Sequence, residues 1–207
     1  MSTIVAFIKG IANISLIPIR VGMDKSSESL VNLTNVEQMN NKRETEIVRR
    51  YDSRNIFTDH IVSFSPPTEV YPGLFLGSSY NAAYLSCLRA RNIKYIVNVT
   101  TEISNYYPKN IVYHNVPIRD NNSDSILQYL DESFNIIDEF LNKGNGNVLV
   151  HCYMGASRSA AVVINYISKK NGEDIDDVID RLKKQRSCVN PTLSLIKDLN
   201  DSRDDIV

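Results

Sequence analysis

Cysteine is scarce in this sequence, net charge is almost absent, and no apolar run is long enough to cross a bilayer. The three cysteines, Cys87, Cys152 and Cys188, are odd in number and too few for a disulfide framework. Such usage suits a reducing, intracellular compartment where a thiol stays free, the cytoplasm first and the nucleus as the alternative. A formal net charge of −1 over 207 residues supplies no general attraction to nucleic acid or to an anionic membrane. The stretch from Met1 to Gly22 holds no acidic residue and many apolar ones, but Lys9, Gly10 and Pro18 interrupt it. It falls short of the roughly 20 apolar residues of a transmembrane helix. It also lacks a small-residue cleavage site and the arginines of a transit peptide. A segment packed on a domain is the plainer reading, with a weak membrane or partner contact as the alternative. No internal repeat is present.

What the sequence does hold is enough apolar material, 43% of residues, for one domain and a tail. Residues 1–65 read as an N-terminal extension, polar and partly disordered from Asp24 onward, with a short helix over Glu44–Tyr51. Ser65-Pro66-Pro67 stops any helix and sets up an extended approach to a domain over 66–202, followed by a tail over 203–207. Within the domain, apolar runs alternate with helical periodicity. Strands are expected at Leu74–Gly77, Ile93–Val99, Ile111–Val116 and Val148–Val150, the second and third of them buried. Helices are expected at Asn81–Arg91, Ser125–Asn142, Ser157–Lys170, Asp174–Gln185 and Thr192–Leu199. Strands alternating with helices predict an α/β fold with a central, mainly parallel sheet flanked by helices.

One stretch carries chemistry: Val148-Leu149-Val150-His151-Cys152-Tyr153-Met154-Gly155-Ala156-Ser157-Arg158-Ser159-Ala160. It runs strand, His-Cys, five residues, Arg, helix. A thiol is a poor nucleophile at neutral pH until its pKa falls, and a helix N-terminus is one environment that lowers it. The same free N–H groups, with successive amides around Gly155, suit a phosphate dianion. Gly155 allows the tight turn that a Cβ would oppose. Arg158 offers a planar fork for two phosphate oxygens, which lysine would not. Ser159 is placed to hydrogen-bond the thiolate and help it leave. Singly, Cys152 would be a core thiol, His151 its neighbour and the loop a mere connection; the ordered combination is far rarer. An acid for the leaving oxygen is also needed. Asp120, where the strand ending at Val116 gives way to the polar run Asn121-Asn122-Ser123-Asp124, is the candidate, though Asp also favours turns. Asp124 is expected to cap the following helix.

The stretch from His151 to Ala160 resembles, without a gap, the signature loop of the dual-specificity protein phosphatases of the protein-tyrosine-phosphatase superfamily. Tyr71–Gly77 is similar to that family's opening strand, Ala82-Ala83 to the helix after it, and Asn92–Thr100 to its next strand, which also ends Asn-Val-Thr. Asp120 precedes Cys152 by 32 positions, close to the family's acid spacing, and Arg186–Pro191 is similar to its late Arg-x-x-x-Asn-Pro turn. The resemblance implies Cys152 as nucleophile, Arg158 as phosphate binder, Asp120 as acid and then base, His151 as orienter of the loop and Ser159 as an aid to hydrolysis. Tyr153, Met154, Gly155, Ala156, Ser157 and Arg158 would form the phosphate-binding loop. No metal and no cofactor are implied. Leu195 stands where the family usually has an aromatic.

The variable loop positions Tyr153, Met154, Ala156 and Ser157 are uncharged, which disfavours phosphoinositides and RNA 5′-triphosphates. A shallow cleft for phosphotyrosine, phosphoserine and phosphothreonine in proteins is the expectation. A catalytically silent phospho-binding module and a lipid or RNA phosphatase are the alternatives. Lys42-Arg43 and Arg49-Arg50 would suit an acidic groove on a kinase, although such scattered charges are more often a solvated surface. The sequence sets no oligomeric state and gives Cys87 and Cys188 no role beyond buried helix and turn positions.

Overall fold

The computed structural model describes residues 65–119, 121 and 124–204. Its apolar runs form five strands, β1 (Thr68–Tyr71), β2 (Leu74–Ser78), β3 (Ile93–Asn98), β4 (Val112–Asn115) and β5 (Asn147–Cys152). Successive side chains of a strand serve opposite faces of its sheet. Leu74, Leu76, Tyr95, Val97, Val148 and Val150 accordingly enter one core, and Phe75, Ile96 and Leu149 another. Strands apolar on both faces need cover on both, which a parallel sheet between helices supplies. The order is β1-β2-β5-β3-β4, with β1 antiparallel to β2 and every other pair parallel. The expected α/β class is the one found.

Two short helices, α1 (Ser79–Ala83) and α2 (Leu85–Ala90), cover the second core through Ala82, Leu85 and Leu88. Four others cover the first: α3 (Leu127–Asn142), α4 (Arg158–Asn171), α5 (Ile175–Gln185) and α6 (Leu193–Asp204). Most of α4 is buried, from Arg158 to Ser168, so it is the central helix of that layer. Leu130, Ile137, Ile164 and Leu182 are wholly enclosed, and truncating any one to Ala would cost about 2–5 kcal/mol. Leu195, in place of an aromatic, is buried in the same core.

Several expectations are corrected. The helix read over Asn81–Arg91 is two helices, broken at Tyr84 (φ −92°, ψ 89°). The carbonyl of Ala83, which a continuous helix would give to a later amide, accepts instead from the Tyr107 hydroxyl. The strand read as buried over Ile111–Val116 is an edge strand, with Val112 53% exposed. Strand β1 was not apparent from the pattern. Asp124 does not cap α3; the Nε and amide of Arg119 hold its carboxylate at 3.1 and 3.2 Å. The first amide of α3, that of Leu127, donates to the Ser125 hydroxyl at 3.2 Å, and Asp198 of α6 holds that approach, accepting from the Ile126 amide at 2.7 Å and the Ser125 hydroxyl at 2.9 Å. Helix α6 itself runs to Asp204, beyond the expected Leu199. The readings made for residues 1–64 and 205–207 lie outside the described residues.

Candidate active site

The three central parallel strands end side by side, and the site is built on those ends. Ser78 of β2 pairs with Cys152 of β5, while Gly77 and Asn98 flank His151. Crevices at the carboxyl ends of such strands are the usual ligand sites of parallel sheets. Strand β5 ends at Cys152 and α4 begins at Arg158, so Tyr153–Ser157 must reverse the chain within five residues. Gly155 takes φ +72°, and a Cβ there would lie 2.5 Å from the carbonyl carbon of Gly77. No other residue fits.

The carbonyls of Tyr153, Met154, Gly155 and Ala156 are each held from outside. The amide and hydroxyl of Ser79 both donate to Tyr153 O at 3.1 Å. Arg186 donates through Nη2 to Met154 O at 3.2 Å and through Nε to Gly155 O at 3.0 Å. The Asn190 amide donates to Ala156 O at 2.8 Å. Every peptide here is trans, so an oxygen pinned outward turns its partner N–H inward. The result is a ring of amides around the Cys152 sulfur, with the Gly155 amide 3.3 Å from Sγ. The Ser159 hydroxyl donates to Sγ at 3.2 Å. Burial pushes the Cys152 thiol up, but the hydroxyl and amide of Ser159, the Arg158 charge and the Ala156 amide outweigh it. The net shift is below the ordinary thiol range.

Arg158 is 2% exposed, and its Nη1 reaches the Glu102 carboxylate at 2.8 Å and Ile118 O at 3.1 Å. Glu102 is a functional candidate that the sequence reading missed. Its loop hangs on the end of β3, where Asn98 Nδ2 donates to Ile103 O at 2.7 Å and Thr100 Oγ1 donates to Asn98 Oδ1 at 2.7 Å. The polar Asn98 and Thr100 at the end of an apolar strand were the available signal. His151 is wholly buried, its Nδ1 3.3 Å from Cys152 O. That contact is a hydrogen bond when Nδ1 carries the proton. Burial first, and the Arg158 charge with it, push the imidazole down to about 4, so it is neutral at physiological pH. The structure thus brings together His151, Cys152, Arg158 and Ser159. Tyr153, Met154, Ala156 and Ser157 lie half-buried at the mouth. Asp120 lies outside the described residues.

Cys87 and Cys188 are both half-exposed rather than buried, and Cys188 Sγ sits 3.8 Å from Gly155 O. Beside Ile118, a cleft of about 660 Å³ is lined by Thr101, Pro117, Arg119, Asp124 and Tyr129 among others; Cys152 is not on its wall. Among the described residues no group of three or more His, Cys, Asp or Glu is placed to hold a metal ion. None of their helices is long and apolar enough to cross a membrane.

The segment that carries this strand, loop and helix is matched by the family model "Dual specificity phosphatase, catalytic domain" over residues 74–205. The chain belongs to this family. Among its dual-specificity relatives, dual specificity protein phosphatase 1 of Arabidopsis thaliana is 31% identical over 183 residues, 87% of this chain and 90% of that protein. Slingshot homolog 2 of Homo sapiens is 37% identical over 135 residues, 65% of this chain. The match spans only 9% of that Slingshot protein's length. The crystal structure of human DUSP28 superposes with a TM-score of 0.65 at 25% identity, covering 69% of this chain and 95% of that one.

Proposed function

We propose that this dual-specificity phosphatase domain hydrolyses phosphotyrosine and phosphoserine or phosphothreonine in proteins through a cysteinyl-phosphate intermediate. The observation that carries the reading is the Cys152 sulfur facing inward-turned amides, with the Ser159 hydroxyl 3.2 Å away. In the first step the Cys152 thiolate attacks phosphorus, an S–P bond forms and the P–O bond to the side chain breaks. Asp120, carried over from its place before the loop, gives its proton to the departing oxygen. In the second step Asp120 as carboxylate takes a proton from water, whose oxygen attacks phosphorus and releases the thiolate and inorganic phosphate. Arg158 and the loop amides bind the phosphoryl oxygens in both steps. The Ser159 hydroxyl stabilises the leaving thiolate, and neutral His151 holds the peptide of Cys152.

Uncharged side chains at Tyr153, Met154, Ala156 and Ser157 support a protein substrate over an inositol phosphate or a triphosphate, whose extra charges would need cations there. Thiol chemistry of this kind suits a reducing compartment inside the cell, and we take residues 66–202 as the catalytic unit and 1–65 as its extension. A kinase is a candidate partner for Lys42-Arg43 and Arg49-Arg50 in that extension. The test is release of p-nitrophenol from p-nitrophenyl phosphate with reductant and without added metal. Cys152→Ser is expected to abolish turnover while leaving the melting temperature near that of the unaltered protein. Turnover that survives the substitution would overturn the mechanism. Rates on phosphopeptides above those on phosphoinositides and 5′-triphosphorylated RNA are the expected order, and the reverse order would overturn the substrate class.

A further inference from the structure

A second guanidinium approaches the phosphate loop from its outer side. Arg186 follows the last turn of α5 and is 4% exposed, with its Nε and Nη2 on the carbonyls of Gly155 and Met154. Among the described residues it forms no ion pair with a carboxylate. Its other partner is the Cys188 thiol, which burial keeps protonated, and a buried cation bonded only to neutral groups is costly unless an anion nearby compensates it. The peptide geometry points to which anion that is. Met154 O and the Gly155 N–H belong to one trans peptide, and Gly155 O and the Ala156 N–H belong to the next. Arg186 therefore grips the oxygen ends of two peptides whose hydrogen ends face Cys152. Along each, the order is guanidinium, oxygen, N–H, sulfur, an arrangement in which each charge polarises the peptide toward the other. The fit leaves no slack, since a Cβ on Gly155 would lie 3.0 Å from Arg186 Nη2.

We infer that Arg186 is a positioning residue whose counter-charge is the anion held inside the loop, the Cys152 thiolate in the free protein, and that it acts through these two peptides without touching sulfur or substrate. The inference rests on Cys152 being the nucleophile proposed above. The groups acting on that sulfur are Arg158 and Ser159 from α4, the Ala156 amide of the loop and Cys188 from the turn after α5, with Glu102 reaching it through Arg158, while the neighbouring His151 of β5 meets the Cys152 carbonyl oxygen. His151 is neutral above about pH 4, burial pushes the Cys188 thiol up and the Cys152 thiol is held below its ordinary value, so of the two thiols Cys152 ionises first as pH rises.

The experiment is alkylation of the full chain by iodoacetamide across pH, followed by mass spectrometry of the Cys152 peptide, so that Cys87 and Cys188 do not interfere. Arg186→Gln keeps donors and removes the charge; its alkylation half-point should rise by about one pH unit, roughly a tenfold loss of thiolate below that point. Arg186→Lys keeps the charge, and its half-point should stay within about 0.3 unit of the unaltered protein. An unshifted half-point in a folded Arg186→Gln protein overturns the inference, and so do equal shifts in the two variants. Should Arg186→Gln fail to fold, Arg186→Lys decides alone: a rise near one unit overturns the inference, and a half-point that holds supports it. Alkylation needs no turnover, so absent p-nitrophenol release from the unaltered protein would sink the phosphatase reading without blurring this one.

Discussion

In the proposed reaction Arg158 has two anions to satisfy. In the structure its Nη1 bonds the Glu102 carboxylate at 2.8 Å, whereas a phosphoryl group needs the planar fork of the same guanidinium. Ile118 O, at 3.1 Å, is a neutral anchor on that same nitrogen. Glu102 is 41% exposed, and solvent screening puts its hold at the low end of the range for a charge-assisted bond. Glu102→Gln keeps an acceptor oxygen and removes the charge. A fall in kcat/KM of about tenfold is expected, corresponding to roughly 1.4 kcal/mol of transition-state stabilisation. Steady-state kinetics on p-nitrophenyl phosphate measure it. A rise in kcat/KM would mean that the carboxylate competes with phosphate for Arg158 instead of aiming it.

Elements place what single residues cannot, and the loop between β5 and α4 shows where this reading of the sequence succeeds and fails. Apolar Val148–Val150, Gly155 and the helical run after Ser157 are consecutive, so strand, turn and helix were legible from local pattern alone. The braces were not. Ser79, Glu102, Arg186 and Asn190 lie roughly 30 to 80 positions from the residues they hold; the β2-β5-β3 order brings the first two to one end of the sheet, and the packing of α5 on α4 brings the other two. The same reason explains the miss at Asn81–Arg91: its apolar spacing is helical, but Tyr107 takes the Ala83 carbonyl from outside the segment. Asp124 follows suit, because the hold of Asp198 on Ser125 and the Ile126 amide, from 73 and 72 positions away, is invisible to local pattern. Gly155→Ala tests the element as a unit. A Cβ at φ +72° would collide with the Gly77 carbonyl, so the loop must shift or the strand must move. We expect kcat to fall by at least a hundredfold and the melting temperature to drop by several degrees, as a destabilisation of about 1–3 kcal/mol would give. Wild-type kcat in this variant would show that the tight turn is dispensable.

For the whole molecule, setting the site at the inner ends of three buried strands forces a titratable imidazole into the core. His151 is flanked by Gly77 and Asn98, and burial pushes it down to about 4 from an ordinary value near 6.5. Above pH 6.5 the residue is neutral in both the folded and the unfolded chain, so it costs nothing. As pH falls from about 6.5 toward about 4, the unfolded chain takes up a proton that the folded one refuses. Stability must therefore decline in that window, by at most about 1.4 kcal/mol per pH unit from this residue, and level off once the folded imidazole also protonates. Paired carboxylates such as Asp138 and Glu173 are held below their usual range, so their stabilisation is lost mainly below the upper part of this window. Thermal melting of the unaltered protein should thus fall steadily from pH 6.5 toward 4, while His151→Gln, whatever its absolute stability, should show a flatter slope between pH 6.5 and 5. Parallel curves for the two proteins would mean that the buried imidazole finds a way to hold its proton inside the fold, and that the neutral His151 assigned to the loop is wrong.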